Sequence, residues 1–130
     1  MNITKIIQRY LHALEIGKYK HMMNLFSKNA KIHSPLYGEI TAQRFYKELF
    51  GDTSKSKITL INIFKGKNSS VGAGHFKYNW NLADGTPVSF ECVDVFKFSK
   101  DDRIKELTII YDTAEVRPNF KRMKSTRKKV

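Results

Sequence analysis

The chain has 130 residues, of which 24 are lysine or arginine and 12 are aspartate or glutamate, so its formal net charge is +12. This length fits one domain, and a hydrophobic content of 41% can fill its core without a metal or a disulfide. The single cysteine, Cys92, excludes an internal disulfide. No stretch approaches the roughly 20 apolar residues of a membrane span, and no signal peptide is recognisable. We therefore expect a soluble, cytoplasmic protein.

The first third of the chain predicts helices. Asn2 or Thr4 can cap a first helix whose apolar residues recur at spacings of three and four, and Gly17 can end it. A second, short helix fits residues 19–26, and it is followed by a short strand over residues 30–34. Thr41 then caps a third helix that runs to Leu49.

The remainder of the chain predicts strands. Runs with β-type alternation are separated by the hairpin signals KNSS, ADGT and SKDD. Three helices followed by an antiparallel meander predict an α+β fold, in which a curved sheet covers helices on one face. The four runs are ITLINIFKG, SVGAGHFKYNWNL, PVSFECVDVFKF and RIKELTIIYD.

The C-terminal segment is strongly basic. Residues 117–130 contain seven lysines and arginines and no acid, so the formal charge falls from +12 to +5 when these seven are set aside. We expect one domain over residues 1–116 and a solvated, disordered tail over residues 117–130. A basic run can bind phosphates, but no nucleic-acid recognition motif accompanies this one, so we do not expect nucleic acid or another polyanion as a partner.

Two strands carry residues whose facing can be predicted. Alternation places Asp94 on one face with Cys92 and Phe96, where aromatic surroundings would favour its protonated form. The alternative is an ordinary acid paired with a lysine, an arginine or a backbone amide. In the preceding strand the aromatic residues, Trp80 among them, are expected inside and His75 outside, unless a bulge reverses the strand.

Two runs carry a family resemblance. QRYLHALEIGKYKHMMNLFSKNAKIHSPLYG resembles the opening of ketosteroid isomerases and of the SnoaL-like polyketide cyclases, and CVDVFKFSKDDRIKELTIIYD resembles their last hairpin. The resemblance covers roughly residues 3–115. It implies the cone-shaped fold of the nuclear transport factor 2-like (NTF2-like) superfamily, with three N-terminal helices packed on a curved, mainly antiparallel sheet and with an internal pocket.

The resemblance also implies roles for single residues. Tyr10 falls at the tyrosine and Asp94 at the aspartic acid with which ketosteroid isomerases hold an enolate oxygen. The position of the proton-shuttling aspartate falls on Ser34, and a serine without an activating partner is a poor base near pH 7. The usual isomerase mechanism is therefore not expected.

Two other residues are candidates for moving a proton. The resemblance to SnoaL-like cyclases offers Asp112 at the end of the last strand, although strand ends are also common sites for a capping aspartate. His33 titrates near neutrality, but if Ser34 points inward then His33 points outward, toward the surface or a dimer contact. The candidate ligand-binding residues are Ser34, Phe50, Trp80, Phe96 and Tyr111.

These observations leave two classes of function open. The first is a small-molecule enzyme of the isomerase or cyclase type, which binds a small apolar carbonyl compound and stabilises its enolate. The alternative is a non-catalytic ligand-binding or protein-interaction module, because this fold serves both; an anion-binding adaptor is a third. We expect a homodimer, because an open curved sheet leaves one face that a second copy can cover. We expect no cofactor and no bound metal, because no phosphate loop or zinc spacing is present.

Overall fold

The computed structural model describes residues 1–128, with side chains as far as Thr126. Two helices, two strands and a third helix come first, four consecutive strands follow, and a fourth helix comes last. The helices are α1 (Ile3–Ile16), α2 (Tyr19–Met23), α3 (Ala42–Gly51) and α4 (Val116–Lys128). The strands are β1 (Phe26–Ser34), β2 (Gly38–Thr41), β3 (Thr53–Lys65), β4 (Val71–Leu82), β5 (Pro87–Phe98) and β6 (Ile104–Ile110).

The strands form one six-stranded sheet in the order β2-β1-β6-β5-β4-β3. All neighbours are antiparallel except β1 and β6, which pair in parallel. Two register shifts in the long strand β3 interrupt its pairing with β4, and such bulges bend a sheet. The α+β architecture predicted from the sequence is confirmed, with a curved sheet that packs its inner face against the helices.

Helix α1 is defined by its caps and by the strand beneath it. The Asn2 side chain accepts a hydrogen bond from the Lys5 N–H, and Gly17 ends the helix with a left-handed φ of 68°. On β4, a Cβ at Gly72 would lie 2.6 Å from the Ile3 side chain, so the absence of a side chain there lets α1 approach the sheet closely. This approach brings the middle of α1 over the inner face of β5.

The second helix and the first strand differ from the prediction. Helix α2 ends at Met23, and Phe26 instead begins β1, where it pairs with Ile104 of β6. The Phe26 ring is buried against Tyr10 and Tyr46, so packing and strand pairing override the local helical pattern. The sequence also missed β2, an edge strand that pairs with β1.

The expectation of a disordered tail is wrong for residues 117–128, which form most of α4. Val116, Phe120 and Met123 stand at i, i+4 and i+7, and this narrow apolar stripe packs inward. Val116 and Met123 are fully buried, and Phe120 is half-buried. Lys129 and Val130 lie outside the described residues. Within the described chain, none of the helices is both long and apolar enough to span a bilayer.

Candidate functional site

An apolar cavity lies between the helices and the inner face of the sheet. Eight of its fourteen lining residues are aromatic. The interior space that a water molecule can enter is only about 30 Å³, which is room for one or two waters. The lining residues are Tyr10, Leu14, Ser34, Tyr37, Phe45, Leu49, Phe76, Tyr78, Trp80, Phe90, Cys92, Asp94, Ile109 and Tyr111.

Asp94 is the carboxyl group in this wall, and it is 2% exposed. It shares the inner face of β5 with Cys92 and Phe96, as the alternation predicted. Burial raises the pKa of Asp94 to about 7, and hydrogen bonds from Cys92 and Tyr10 partly offset that rise. The carboxyl group is therefore divided between its neutral and ionised forms near neutral pH.

Tyr10 reaches the same point from α1. Its hydroxyl lies 2.7 Å from the hydroxyl of Tyr46 on α3, and both side chains are buried. Burial raises the pKa of each tyrosine well above 10, so both keep their protons and remain donors. A chain in which Tyr46 donates to Tyr10 and Tyr10 donates to Asp94 satisfies all three groups. The Phe96 ring packs edge-on against Tyr10 at 5.0 Å and supports it from below.

Cys92 adds a third polar atom at this end of the cavity. Its thiol donates to Asp94 Oδ1 at 3.1 Å. Burial and the adjacent carboxylate raise the pKa of Cys92, so the thiol stays protonated. The two partners stand two residues apart on the same strand, so they share its inner face.

A second polar cluster lies in the wall where α4 covers it. The Tyr37 hydroxyl donates to Asp52 Oδ2 at 2.7 Å, and Lys124 Nζ of α4 lies 2.7 Å from the same oxygen. Asp52 is 1% exposed. Above it, the Phe120 ring contacts the rings of Tyr37 and Trp80, at centroid distances of 5.2 and 6.3 Å. None of the described α4 residues lines the cavity, but α4 covers this side of the wall from outside, against Tyr37 and Trp80.

Three of the predicted ligand-binding residues line the cavity: Ser34, Trp80 and Tyr111. The Ser34 hydroxyl oxygen accepts the N–H groups of Leu36 and Tyr37 at 3.1 and 3.0 Å, which shapes the loop that carries Tyr37. Trp80 donates its indole N–H to Thr53, and Tyr111 stacks on Phe90 with a centroid distance of 4.0 Å.

The structure does not bring four other predicted site residues into the cavity. His33 faces outward and its Nε2 lies 2.6 Å from Glu106. Asp112 is exposed and accepts the N–H of Ala114, because the chain leaves the sheet after Ile110. Phe50 packs on Tyr46 beside a separate groove, and Phe96 lies beneath Tyr10.

The sequence missed several residues that shape the site. Tyr46 lies on the apolar face of α3, where its spacing predicted only core packing, and Tyr37 lies in a loop with no periodicity to orient it. Asp52 follows the end of α3 and had no signal at all. Pairing Tyr10 with Tyr46, or Asp52 with Lys124, requires the tertiary fold. Over residues 1–128, no group of three His, Cys, Asp or Glu side chains is placed to hold a metal ion.

Solved structures with the same fold include proteins of several kinds, and the three described below are 10–17% identical to this chain. An NTF2-like protein of unknown function from Exiguobacterium sp. 255-15 aligns with a TM-score of 0.70 at 17% identity, covering 82% of this chain and 98% of the other. The epoxide hydrolase/cyclase-like enzyme SalBIII, of pyran ring formation in salinomycin, aligns with a TM-score of 0.75 at 17% identity, covering 86% and 92%. AclR, a putative hydroxylase from Streptomyces galilaeus, aligns with a TM-score of 0.72 at 10% identity, covering 92% and 80%.

These structural likenesses establish the fold and leave the activity open. A comparison with curated protein sequences finds no significant match. The sequence profile of the SnoaL-like domain, in contrast, matches residues 7–107, which span α1 from its second turn, α2, α3 and all six strands except the end of β6. Because this match covers most of the chain and the fold agrees with it, the chain belongs to the SnoaL-like domain family.

Proposed function

We propose that the cavity binds a small, planar, mainly apolar molecule through one oxygen atom, and that Tyr10 and protonated Asp94 hold that oxygen. The observation that carries the proposal is a buried carboxyl group in an aromatic wall, with its pKa raised to about 7. An apolar wall with a few convergent polar groups is the usual make-up of a small-molecule site. The flat rings along the wall favour a flat ligand.

The same arrangement suits a carbonyl compound that passes through an enolate. When Asp94 is protonated, its own O–H and the Tyr10 O–H can both turn to a ligand oxygen. Two donors in a water-poor site stabilise negative charge that develops on that oxygen. An isomerase or cyclase activity of this type is our first candidate, and it is supported by the description of SalBIII, one neighbour in fold, as epoxide hydrolase/cyclase-like.

A non-catalytic binding role is the second candidate, and one observation favours it. Of the described residues that line the cavity, Asp94 is the one carboxyl group, and none is a histidine. Asp94 cannot donate to the oxygen and remove a proton from carbon at the same moment. By the resemblance in sequence, Ser34 takes the position of the ketosteroid isomerase base. The remaining group able to remove the proton is Asp94 in its ionised state, and it could not then donate to the oxygen.

Ligand binding can be tested with 2-naphthol, a flat aromatic molecule with a single hydroxyl, and Trp80 fluorescence can follow the titration because this tryptophan lines the cavity. We expect Asp94→Asn to bind 2-naphthol about tenfold more weakly than the wild type and Asp94→Leu to lose binding. Asp102→Asn is the matched control, because Asp102 is exposed and its φ of 63° suits asparagine. Equal affinities for all four proteins would refute the proposal.

Catalysis can be separated from binding with 2-tetralone, a ketone whose enol is a dihydronaphthol. Enolate stabilisation accelerates exchange of its α-hydrogens in D₂O, which NMR measures directly. We expect the wild type to accelerate this exchange and Asp94→Asn to lose most of the acceleration. Binding of 2-naphthol without any acceleration of exchange would assign the protein to the non-catalytic class.

We also propose that the chain forms a homodimer through the outer face of its sheet. An apolar strip crosses β3 to β6 there, and Ile110 and Phe64 in it are 54% and 50% exposed. This outer apolar strip consists of Phe64, Ala73, Val93, Val95 and Ile110, which the strand register places on one face.

The cytoplasmic location expected from the sequence stays a prediction.

A further inference from the structure

We propose that α4 is a lid over the cavity, and that the contact of Lys124 with Asp52 and Tyr37 is the latch that holds it closed. The space open to water inside the cavity is about 30 Å³, so any ligand larger than one or two waters requires part of the wall to move. Any ligand must enter the cavity, whatever its identity and whether or not it then reacts, so this inference does not depend on the proposed function.

The wall is built from elements that are held with unequal strength. The six strands are bound to one another by backbone ladders, and α1 is seated on β4 by the close approach at Gly72. Helix α4 takes no part in the sheet and follows it through residues 111–115. An element with few buried contacts and no ladder opens at lower free energy than the sheet does. Displacement of α4 would therefore uncover Tyr37 and Trp80 in the wall while leaving the sheet ladders and the contact of α1 with β4 intact.

The latch joins the lid to a buried group. Lys124 Nζ lies 2.7 Å from Asp52 Oδ2, and the same Lys124 nitrogen lies over the rings of Tyr37 and Phe120, at 6.0 and 5.5 Å from their centroids. Asp52 is held by the body of the protein, because its backbone belongs to the end of α3. One side chain of α4 thus contacts a carboxylate, a cavity-lining tyrosine and the aromatic residue of its own helix.

A second contact marks the near end of the lid. Arg117 donates a hydrogen bond at 2.6 Å to the Pro35 carbonyl oxygen, in the loop that carries Tyr37. This contact lies at the first turn of α4, close to the connection with β6, whereas Lys124 lies two turns further along the helix. If Arg117 stays in place while Lys124 separates from Asp52, the far part of α4 swings away from Tyr37 and Trp80.

The chain carries two natural reporters of this motion. Trp80 is the single tryptophan and Cys92 the single cysteine, and both line the cavity while being 2% exposed. The Trp80 ring contacts Phe120 of the lid, and Cys92 lies at the inner end beside Asp94. Quenching of Trp80 by acrylamide reports on the wall next to the lid. Modification of Cys92 by methyl methanethiosulfonate reports on access to the interior.

The test compares Lys124→Met with Lys121→Met in the full-length chain. Both substitutions remove one positive charge from α4, but Lys121 is exposed and makes no contact with Asp52. We expect Lys124→Met to raise the rate of Cys92 modification at least tenfold and to increase quenching of Trp80, and Lys121→Met to leave both at the wild-type level. Equal rates in the two variants would overturn the latch.

Local opening must also be separated from global unfolding. Phe120→Ala weakens the lid, and Ile104→Val weakens a fully buried position between β1 and β6 that is remote from α4. In Lys124→Met and Phe120→Ala we expect Cys92 to be modified fast. We expect the rate of this modification to change little at low urea concentrations, because local opening exposes little surface. If Ile104→Val accelerates modification as much as Phe120→Ala, or if the urea dependence equals that of complete unfolding, the lid is refuted.

Discussion

At the scale of a single residue, Asp94 links the ionisation of the cavity to the stability of the fold. Its pKa is about 7 in the folded chain and 3.8 for an ordinary aspartate. Between these values the folded state binds more protons than the unfolded state, so the free energy of unfolding falls as pH rises from about 4 to about 7. A difference of this size corresponds to about 4 kcal/mol. Above pH 7 the Asp94 contribution no longer changes.

Replacing Asp94 by asparagine should remove this pH dependence, because the amide does not ionise. We expect the wild type to lose about 3 kcal/mol more than Asp94→Asn in the free energy of unfolding between pH 5 and pH 8. Urea unfolding of both proteins at the two pH values measures the difference, and Asp102→Asn controls for the loss of an exposed carboxylate. A stability gap between wild type and Asp94→Asn that is the same at both pH values would mean that Asp94 has an ordinary pKa.

At the scale of an element, α4 shows how a basic segment can still contribute to a core. Its exposed side is positively charged, but Met123 is fully buried and Phe120 packs on Tyr37 and Trp80. Full burial of a methionine side chain stabilises a protein by about 1.5–3 kcal/mol. The Lys124 contact adds to this, because removing the lysine takes a positive charge away from the buried carboxylate of Asp52.

Deleting residues 119–130 should therefore destabilise the protein, because it removes Phe120, Met123 and Lys124. We expect the melting temperature to fall by about 10 °C, since a loss of about 3 kcal/mol in a domain of this size shifts it by several degrees per kcal/mol. Deleting only residues 127–130 removes three positive charges and retains Phe120, Met123 and Lys124. Differential scanning calorimetry should find this shorter deletion close to the wild type; a similar effect of both deletions would assign the stabilisation to charge.

At the scale of the whole molecule, the two faces of the sheet differ in what covers them. The inner face packs against the helices and the cavity, while the outer face carries the outer apolar strip together with ion pairs such as His75 with Glu91 and His33 with Glu106. A contiguous apolar area with a polar rim is the composition of a protein interface. A second copy of the chain related by twofold symmetry would cover it.

Sedimentation at micromolar concentration should therefore find a dimer. We expect Ile110→Lys to shift the protein to the monomer, because a lysine charge in the middle of the outer apolar strip would have to be desolvated. Ile16→Lys is the matched control, since Ile16 is 40% exposed at the end of α1 and lies outside the strip. A wild-type monomer, or a dimer that Ile110→Lys leaves intact, would reject this interface.

The sequence by itself determined the features that depend on local spacing. The caps of α1 and α3, the bounds of β5 and the burial of Asp94 on the inner face all follow from periodicity and from capping residues, which act over a few positions. The same alternation placed His75 on the outer face, where it pairs with Glu91. These predictions hold because neighbouring residues on one element share a geometry that distant contacts do not alter.

Only the tertiary structure decided which distant groups meet. Phe26 belongs to a strand because β6 offers it a partner, and the apolar stripe of α4 is ordered because the body of the protein offers a surface to cover. The pKa of Asp94 and the contact of Lys124 with Asp52 depend on burial and on separations of many residues along the chain. Such energies belong to pairs of elements, so a local pattern in either element does not contain them.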